Sequence, residues 1–392
     1  MRIALLTDTF LPVTDGVGRV VTGYAEALPK LGHQVIVSAP MYDGGHRGGD
    51  PYELLDYRGF RVPGMPQYKT GLPAMDLHYR RRIDMLPIDI LHAHSPFAAG
   101  MEALRLKKQR NVPLVTTFHS KYYDDFLKIT RNKAAAKALL AIIMRFYRRC
   151  DEVWTVSESS AKVLSDYGFK GPIQVMPNGT ALRSTTPAAV REAEERFGLF
   201  TLPLLLYVGQ INWKKNILRI LEAAALLKKE NPNFKLLLVG RGEDEKEIRA
   251  TIEKLGLLDQ AVMTGVITSN QTLDALYKRA RLFVFPSLYD TFSMVVREAA
   301  AMGTPSVAVG GSAAAEMIAH GQNGFLCLDK TESLLDVMKL ALSDPALFER
   351  AGKAAQSSIP VAWEQALEQV VDRYKNLINT QRRDQGKTTG NA

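Results

Sequence analysis

Only two cysteines, Cys150 and Cys327, occur in the 392 residues, too few for a disulfide framework and without metal-cluster spacing. No apolar run approaches the roughly 18 residues that a membrane-spanning helix needs. The longest candidate, Ala138 to Met144, is bounded by Lys137 and Arg145. The opening Met1-Arg-Ile-Ala-Leu-Leu-Thr-Asp8 reads as a strand rather than a secretory leader, because no small-residue cleavage site follows its short apolar stretch. These absences predict a cytoplasmic protein. No Asp-x-Asp pair is present, so a diphosphate-bridging Mg²⁺ on such a pair is not expected. The dinucleotide fingerprint G-x-G-x-x-G is also missing: Gly16-Val-Gly18 is followed by Arg-Val-Val, which speaks against a nicotinamide-dependent oxidoreductase.

What is present is an ordinary globular composition, 46% hydrophobic and 23% charged, over a length sufficient for two domains. The net charge of +9 is uneven: residues 1–179 hold 24 Lys/Arg against 17 Asp/Glu. Between Lys128 and Arg149 there are seven basic residues and no acid. Such basicity suits an anionic partner, whether nucleic acid, a membrane surface or a phosphorylated substrate, unless it is only a solvated helix face.

Short apolar runs alternate with helical stretches along most of the chain, the pattern of parallel β/α/β folds. Arg2 to Thr7 and Gln34 to Ala39 flank a helix over Arg19 to Leu31, with Gly32 as its C-cap. The crossover loop contains Gly16, where backbone can come close to a sugar or phosphate. Residues 41–80 read as irregular. Ile88 to His94, Pro113 to His119, Val153 to Ser157 and Ile173 to Pro177 continue the series, which stops at Asn178-Gly179. Residues 180–202 read as the interdomain connection. A second series begins at Leu204 to Gly209 and continues through Lys235 to Gly240, Ala261 to Gly265, Leu282 to Phe285 and Ser306 to Gly310. An amphipathic helix over Val361 to Tyr374 closes the fold, and Gln381 to Ala392, without apolar residues, is expected to be disordered.

Ligands of open α/β sheets bind at the carboxyl ends of the strands. Three groups stand there. Lys215, in the loop after Leu204 to Gly209, is a mobile point charge able to neutralise a diphosphate. Asp290 and Glu298 follow Leu282 to Phe285, one in the turn and one in the helix. A carboxylate accepts hydrogen bonds only and can grip two neighbouring hydroxyls of a ribose or hexose. The helix start near Thr291 to Ser293 offers N–H groups and a positive dipole to a phosphate. His92, His94 and His119 lack an acid or cysteine at ligand spacing, so no metal is expected. His119, ending a strand, is placed to donate to a sugar or phosphate oxygen.

Taken together, the blocks Thr7-Asp-Thr-Phe-Leu-Pro-Val-Thr-Asp-Gly-Val17, Leu91-His-Ala-His-Ser-Pro96, Thr116-Thr-Phe-His119, Met176-Pro-Asn-Gly179, Tyr207-Val-Gly-Gln-Ile-Asn-Trp-Lys-Lys-Asn216 and Asp290-x7-Glu298 resemble the retaining glycosyltransferases of family 4. The resemblance runs over about residues 1–376. It implies an α/β fold of two facing Rossmann-like domains (GT-B) with a deep interdomain cleft. Residues 1–179 would form the acceptor domain, joined by a C-terminal helix over about 361–379, and residues 180–360 the donor domain. It implies catalytic roles for His119, Lys215 and Asp290, with His119 toward the transferred sugar, Lys215 on the leaving diphosphate and Asp290 on sugar hydroxyls. Gly16, Gln210, Glu298 and the backbone of Phe292, Ser293, Met294 and Val295 would contact the donor, and Asn178 would lie near the hinge. Neither metal nor other cofactor is implied.

The chain departs from the family pattern at Asp290, usually Glu, at Gln210, usually Arg, at Ser293, usually Gly, and at Thr180-Ala181, where an Asp is usual. The expected partners are a nucleoside-diphosphate sugar such as UDP-glucose and an acceptor, not nucleic acid. The opening segment resembles the branch that glucosylates diacylglycerol, and Leu139, Leu140, Ile143 and Phe146 of a basic helix expected over Asn132 to Arg149 could rest on an anionic bilayer. A soluble sugar or sugar-phosphate acceptor is the alternative.

Overall fold

The computed structural model describes the chain except for Thr14, 43–47, 63–64 and 390–392, and omits side chains at 65–67 and 384–389. The chain divides into two compact units, one of Met1–Gly179 with Ala362–Ala392 and one of Thr180–Val361.

In the first unit, β1 (Arg2–Leu6), β2 (Gln34–Pro40), β3 (Glu53–Tyr57), β6 (Ile90–Ala93), β7 (Leu114–Phe118), β8 (Glu152–Thr155) and β9 (Ile173–Val175) form one sheet. Its order is β3-β2-β1-β6-β7-β8-β9, all parallel. Between β3 and β6 lie the hairpin β4 (Gly59–Val62) and β5 (Met65–Gly71). The helices of this part are α1 (Gly16–Lys30), α2 (Leu77–Met85), α3 (Ala98–Arg110), α4 (Tyr122–Thr130), α5 (Lys133–Tyr147) and α6 (Glu158–Asp166). Ile3, Ala4, Leu5 and Leu6 are fully buried, as expected of a parallel strand covered on both faces. The sheet grows outward in opposite directions from β1 and β6, so the switch point lies at their carboxyl ends.

The second unit repeats the plan. After α7 (Pro187–Phe197) come β10 (Leu204–Val208), α8 (Ile217–Glu230), β11 (Lys235–Val239), α9 (Glu245–Lys254), β12 (Ala261–Gly265), α10 (Asn270–Arg279) and β13 (Leu282–Val284). There follow α11 (Met294–Ala301), β14 (Ser306–Val309), β15 (Phe325–Cys327), α12 (Thr331–Ser343) and α13 (Pro345–Ser358). The parallel order β12-β11-β10-β13-β14-β15 places the switch point between β10 and β13. Both units are therefore Rossmann-like.

α14 (Trp363–Thr389) returns to the first unit. Trp363 packs over Gly23 of α1, and Tyr374 Oη lies 2.5 Å from His92 Nδ1 beneath the sheet. Lys30 donates to Glu364 at 2.7 Å at the exposed edge of this contact. A Cβ added at Gly23 would stand 2.2 Å from the indole. Gly23→Ala is therefore expected to destabilise the protein by about 1–3 kcal/mol through overpacking, although alanine alone favours a helix by about 1 kcal/mol. The denaturant midpoint checks this, and an unchanged or raised midpoint would contradict the docking.

The structure corrects four expectations. Residues 41–80 are not irregular throughout: β3 extends the sheet, and Asp76 caps α2 by accepting from the N–H groups of His78 and Tyr79. An edge strand buries alternate residues, here Leu55 and Tyr57, so it presents no continuous apolar run. β15 was not expected, because three residues carry no periodicity. On α5, Leu140, Ile143 and Phe146 belong to the core and Leu139 is partly exposed, so that stripe cannot lie on a bilayer. Finally, α14 continues through Gln381 to Thr389, Gln381 donating to the Asn111 carbonyl at 2.9 Å. Helix propagation adds one bond per residue and needs no apolar side chain once nucleated. Residues 390–392 of the expected tail lie outside the described residues.

Candidate active site

In the second unit the loops after β10 and β13 are neighbours, because the strands pair side by side. After β10 the chain makes a short 3-10 turn over Trp213–Lys215. Asn212 opens it, accepting from the Lys215 N–H at 3.2 Å, and Asp244 accepts from the Trp213 N–H at 2.9 Å. Asn216 closes it in the left-handed region at φ 61° and donates to the Pro286 carbonyl at 3.1 Å and to Asp329 at 2.9 Å. The turn is thus pinned from three directions, and its lysine is aimed.

Lys215 Nζ lies 2.9 Å from both carboxylate oxygens of Asp290, the acid of the loop after β13. Lys214 lies 4.8 Å from the ring of Tyr289, a cation–π distance. Gln210 is exposed and its side-chain oxygen accepts from Asn212 at 3.3 Å, while Tyr207 donates to its carbonyl. Ser293 precedes α11 at φ 55°, ψ 56°, and no side chain caps the helix. Only glycine adopts that conformation without penalty, and for serine the cost is about 1–2 kcal/mol. This accounts for glycine being usual at the position. The Ser293 hydroxyl is buried without a hydrogen-bond partner among the described residues. Phe292 is buried under the Arg297 guanidinium, 4.2 Å from its ring, and Met294 and Val295 form the first turn of α11. Glu298, 5% exposed, accepts from the Tyr277 hydroxyl at 3.1 Å. Arg183, held by Asp274 at 2.7 and 2.8 Å, adds positive potential that reaches Glu298.

The first unit carries the remaining residues: Gly16 after β1, His119 after β7 and Asn178 after β9. Gly16 begins α1, and a Cβ there would meet no protein atom within 4 Å. The close approach in this loop belongs instead to Gly18, whose added Cβ would stand 2.9 Å from the Val13 carbonyl. His119, after β7, has Nε2 at 3.0 Å from His94 Nδ1, the rings stacked with centroids 5.3 Å apart. Burial lowers His119 to about 3 and His94 well below the usual range. Both stay neutral and act as hydrogen-bonding dipoles. Asn178 is buried just before the chain leaves this unit, its side-chain oxygen unpartnered among the described residues. The neighbouring Gly179 packs on Trp363.

Sequence reasoning missed Asp8. Its carboxylate, just past β1, accepts from the Ala99 N–H at 3.1 Å and so caps α3 from another element. Its second oxygen has no partner among the described residues. Desolvation outweighs the bonds from Ala99 and Phe97 and raises the group to about 6. No spacing rule could have found it, since the partner helix starts some ninety residues later. A raised acid binds protons more tightly in the folded state, so its contribution is favourable below about pH 4 and is lost as pH rises to about 6. Asp8→Asn, which keeps the acceptor, should remove that loss. Relative to wild type, the variant gains roughly 1–3 kcal/mol between pH 4 and pH 7. Unfolding midpoints at the two pH values check it, and a difference that is flat with pH would contradict the burial.

Among the described residues, no group of three or more His, Cys, Asp and Glu is placed to hold a metal ion. No helix among them is long and apolar enough to cross a membrane.

Two family models match the chain, Glycosyltransferase Family 4 over residues 14–183 and Glycosyl transferases group 1 over residues 191–358. An alpha-monoglucosyldiacylglycerol synthase of Streptococcus pneumoniae is 25% identical, covering 89% of this chain and 80% of the relative. A GDP-mannose-dependent alpha-mannosyltransferase of Mycolicibacterium smegmatis is 26% identical over 96% of this chain and 98% of its own length. Among solved structures, Anabaena HepE in complex with UDP and glucose superposes with a TM-score of 0.76 at 18% identity, covering 96% of this chain and 100% of HepE.

Proposed function

We propose, from the premise that the chain belongs to the family 4 glycosyltransferases of GT-B fold, that it moves glucose from UDP-glucose to a lipid such as diacylglycerol, with retention and without a metal. The observation that carries this reading is the Lys215–Asp290 pair at the switch point of the second unit. It joins a cation suited to a diphosphate to an acid suited to sugar hydroxyls, eight residues before the Glu298 that would take the ribose. As the anomeric bond breaks, charge builds on the diphosphate. Fixed donors stabilise that charge without reorganising: Lys215, Gln210 and the uncapped N–H groups of α11. The family resemblance gives Gly16 and the neutral His119 roles toward the donor and the transferred sugar, and Asn178 a place near the hinge. No carboxylate is assigned as a nucleophile, so the acceptor hydroxyl attacks on the face the diphosphate leaves, its oxygen bonding the anomeric carbon as its proton passes to the departing phosphate oxygen.

Support for a lipid acceptor comes from the Streptococcus pneumoniae relative and from α2. That helix buries Tyr79 and Ile83 yet exposes Leu77 and Met85 alongside Arg80 and Arg81. Apolar and cationic side chains on one exposed helix suit an anionic bilayer surface, at about 1 kcal/mol per basic residue. The test is transfer from a panel of nucleotide sugars to diacylglycerol in anionic vesicles, with co-sedimentation at low and high salt. Salt-sensitive binding and glucosyl-lipid are expected. Transfer only to a soluble sugar or sugar phosphate, with no vesicle binding, would overturn the lipid acceptor.

A further inference from the structure

The neutral pair His94–His119 can be bonded in two ways. Either His94 Nδ1–H donates to His119 Nε2, or His119 Nε2–H donates to His94 Nδ1. The choice is settled at the far side of His94. Its Nε2 is fully buried and has no hydrogen-bond partner among the described residues. Around it the ring is packed edge-on by Tyr24, at a centroid distance of 5.2 Å, and tilted against His92 at 4.0 Å. His92 itself is committed to Tyr374 and Thr117 through its two nitrogens, at 2.5 and 2.7 Å.

If His119 were the donor, the proton of His94 would sit on that orphaned Nε2, leaving a buried N–H unpaired. Orphaned buried N–H groups are rarer in native proteins than under-satisfied acceptors. If His94 is the donor, only a lone pair is left over, and the N–H is used.

We infer that His94 is a positioning residue which donates from Nδ1 and thereby fixes His119 as the Nδ1–H tautomer. His119 then carries its proton on Nδ1, so any partner of that nitrogen must accept, as a hydroxyl or phosphate oxygen does. The inference rests on the proposed role of His119 for its catalytic meaning but not for its tautomer. The same network explains how α14 bears on the site: Tyr374 holds His92, His92 packs His94, and His94 orients His119.

Long-range ¹H–¹⁵N NMR of the full chain labelled at histidine reads the tautomer without any substrate. The expected result is a protonated Nδ1 and a bare Nε2 on His119, and the reverse on His119 overturns the inference. Kinetics then separates positioning from packing. His94→Leu should lower kcat roughly tenfold, the worth of one hydrogen bond, with KM nearly unchanged. His94→Asn, whose amide nitrogen stands where Nδ1 stood, should restore most of it. Equal losses in both variants, or no loss in either, would also overturn it. If His119 shows the Nδ1–H form but His119→Ala transfers sugar normally, the tautomer stands and the functional reading of His119 falls instead.

Discussion

Replacing Lys215 with alanine is expected to lower kcat for sugar transfer by about 10²–10³-fold, the usual loss when one preorganised stabiliser of developing charge is removed. The 3-10 turn that carries it is held by Asn212, Asp244 and Asn216, none of which depends on the lysine side chain. Folding should therefore survive the substitution. What is lost besides the charge is the ion pair to Asp290, whose side chains are 12% and 19% exposed. Removing one partner of so largely buried a pair leaves an uncompensated carboxylate and costs some stability, so a denaturant midpoint measured beside kcat separates rate from fold. Asp290→Asn is the companion test. It frees the lysine and keeps the shape, so transfer should fall while affinity for the nucleoside diphosphate product holds or rises. A Lys215→Ala enzyme within threefold of wild type would remove the lysine from the chemistry.

Gln210→Arg is expected to work in the other direction. The glutamine is exposed at the end of β10, and among the described residues its side chain makes one hydrogen bond, with Asn212 at 3.3 Å. An arginine there sacrifices little and adds a charge-assisted bond to phosphate, on the order of 1.5–3 kcal/mol. That energy, realised in the transition state, raises kcat/KM by about 10–100-fold. Lys214 and Lys215 stand nearby, and their repulsion reduces the gain in proportion to how little negative charge the diphosphate brings. No gain would mean that Lys214 already serves this role or that position 210 does not meet the diphosphate.

The sequence revealed most where chemistry follows strand ends. Buried parallel strands are continuous apolar runs, and the residue after each run is placed by topology alone. Lys215 and Asp290 were assigned to one rim for that reason, although they are 75 residues apart. Their direct bond was not legible, because spacing places backbones and says nothing of which side chains meet. The same limit hid Asp8 and His94, whose meaning depends on burial and on an unpaired atom. β3 escaped because edge strands alternate, and β15 because three residues have no period. The apolar stripe of α5 was visible, but a stripe reads alike whether it faces a core or a membrane. Only the packing around Leu140, Ile143 and Phe146 distinguishes the two.

In the proposed reaction the second unit grips a nucleoside diphosphate at two points, Glu298 on the ribose and Lys215 on the phosphates. Calorimetric titration of UDP, GDP, ADP and the parent nucleosides into wild type, Lys215→Ala and Glu298→Gln addresses both points at once. One diphosphate should bind wild type best, both variants should bind it at least about tenfold more weakly, and only Glu298→Gln should weaken the nucleoside. Unchanged affinities in both variants, or no binding of any nucleoside diphosphate to the wild type, would contradict the account.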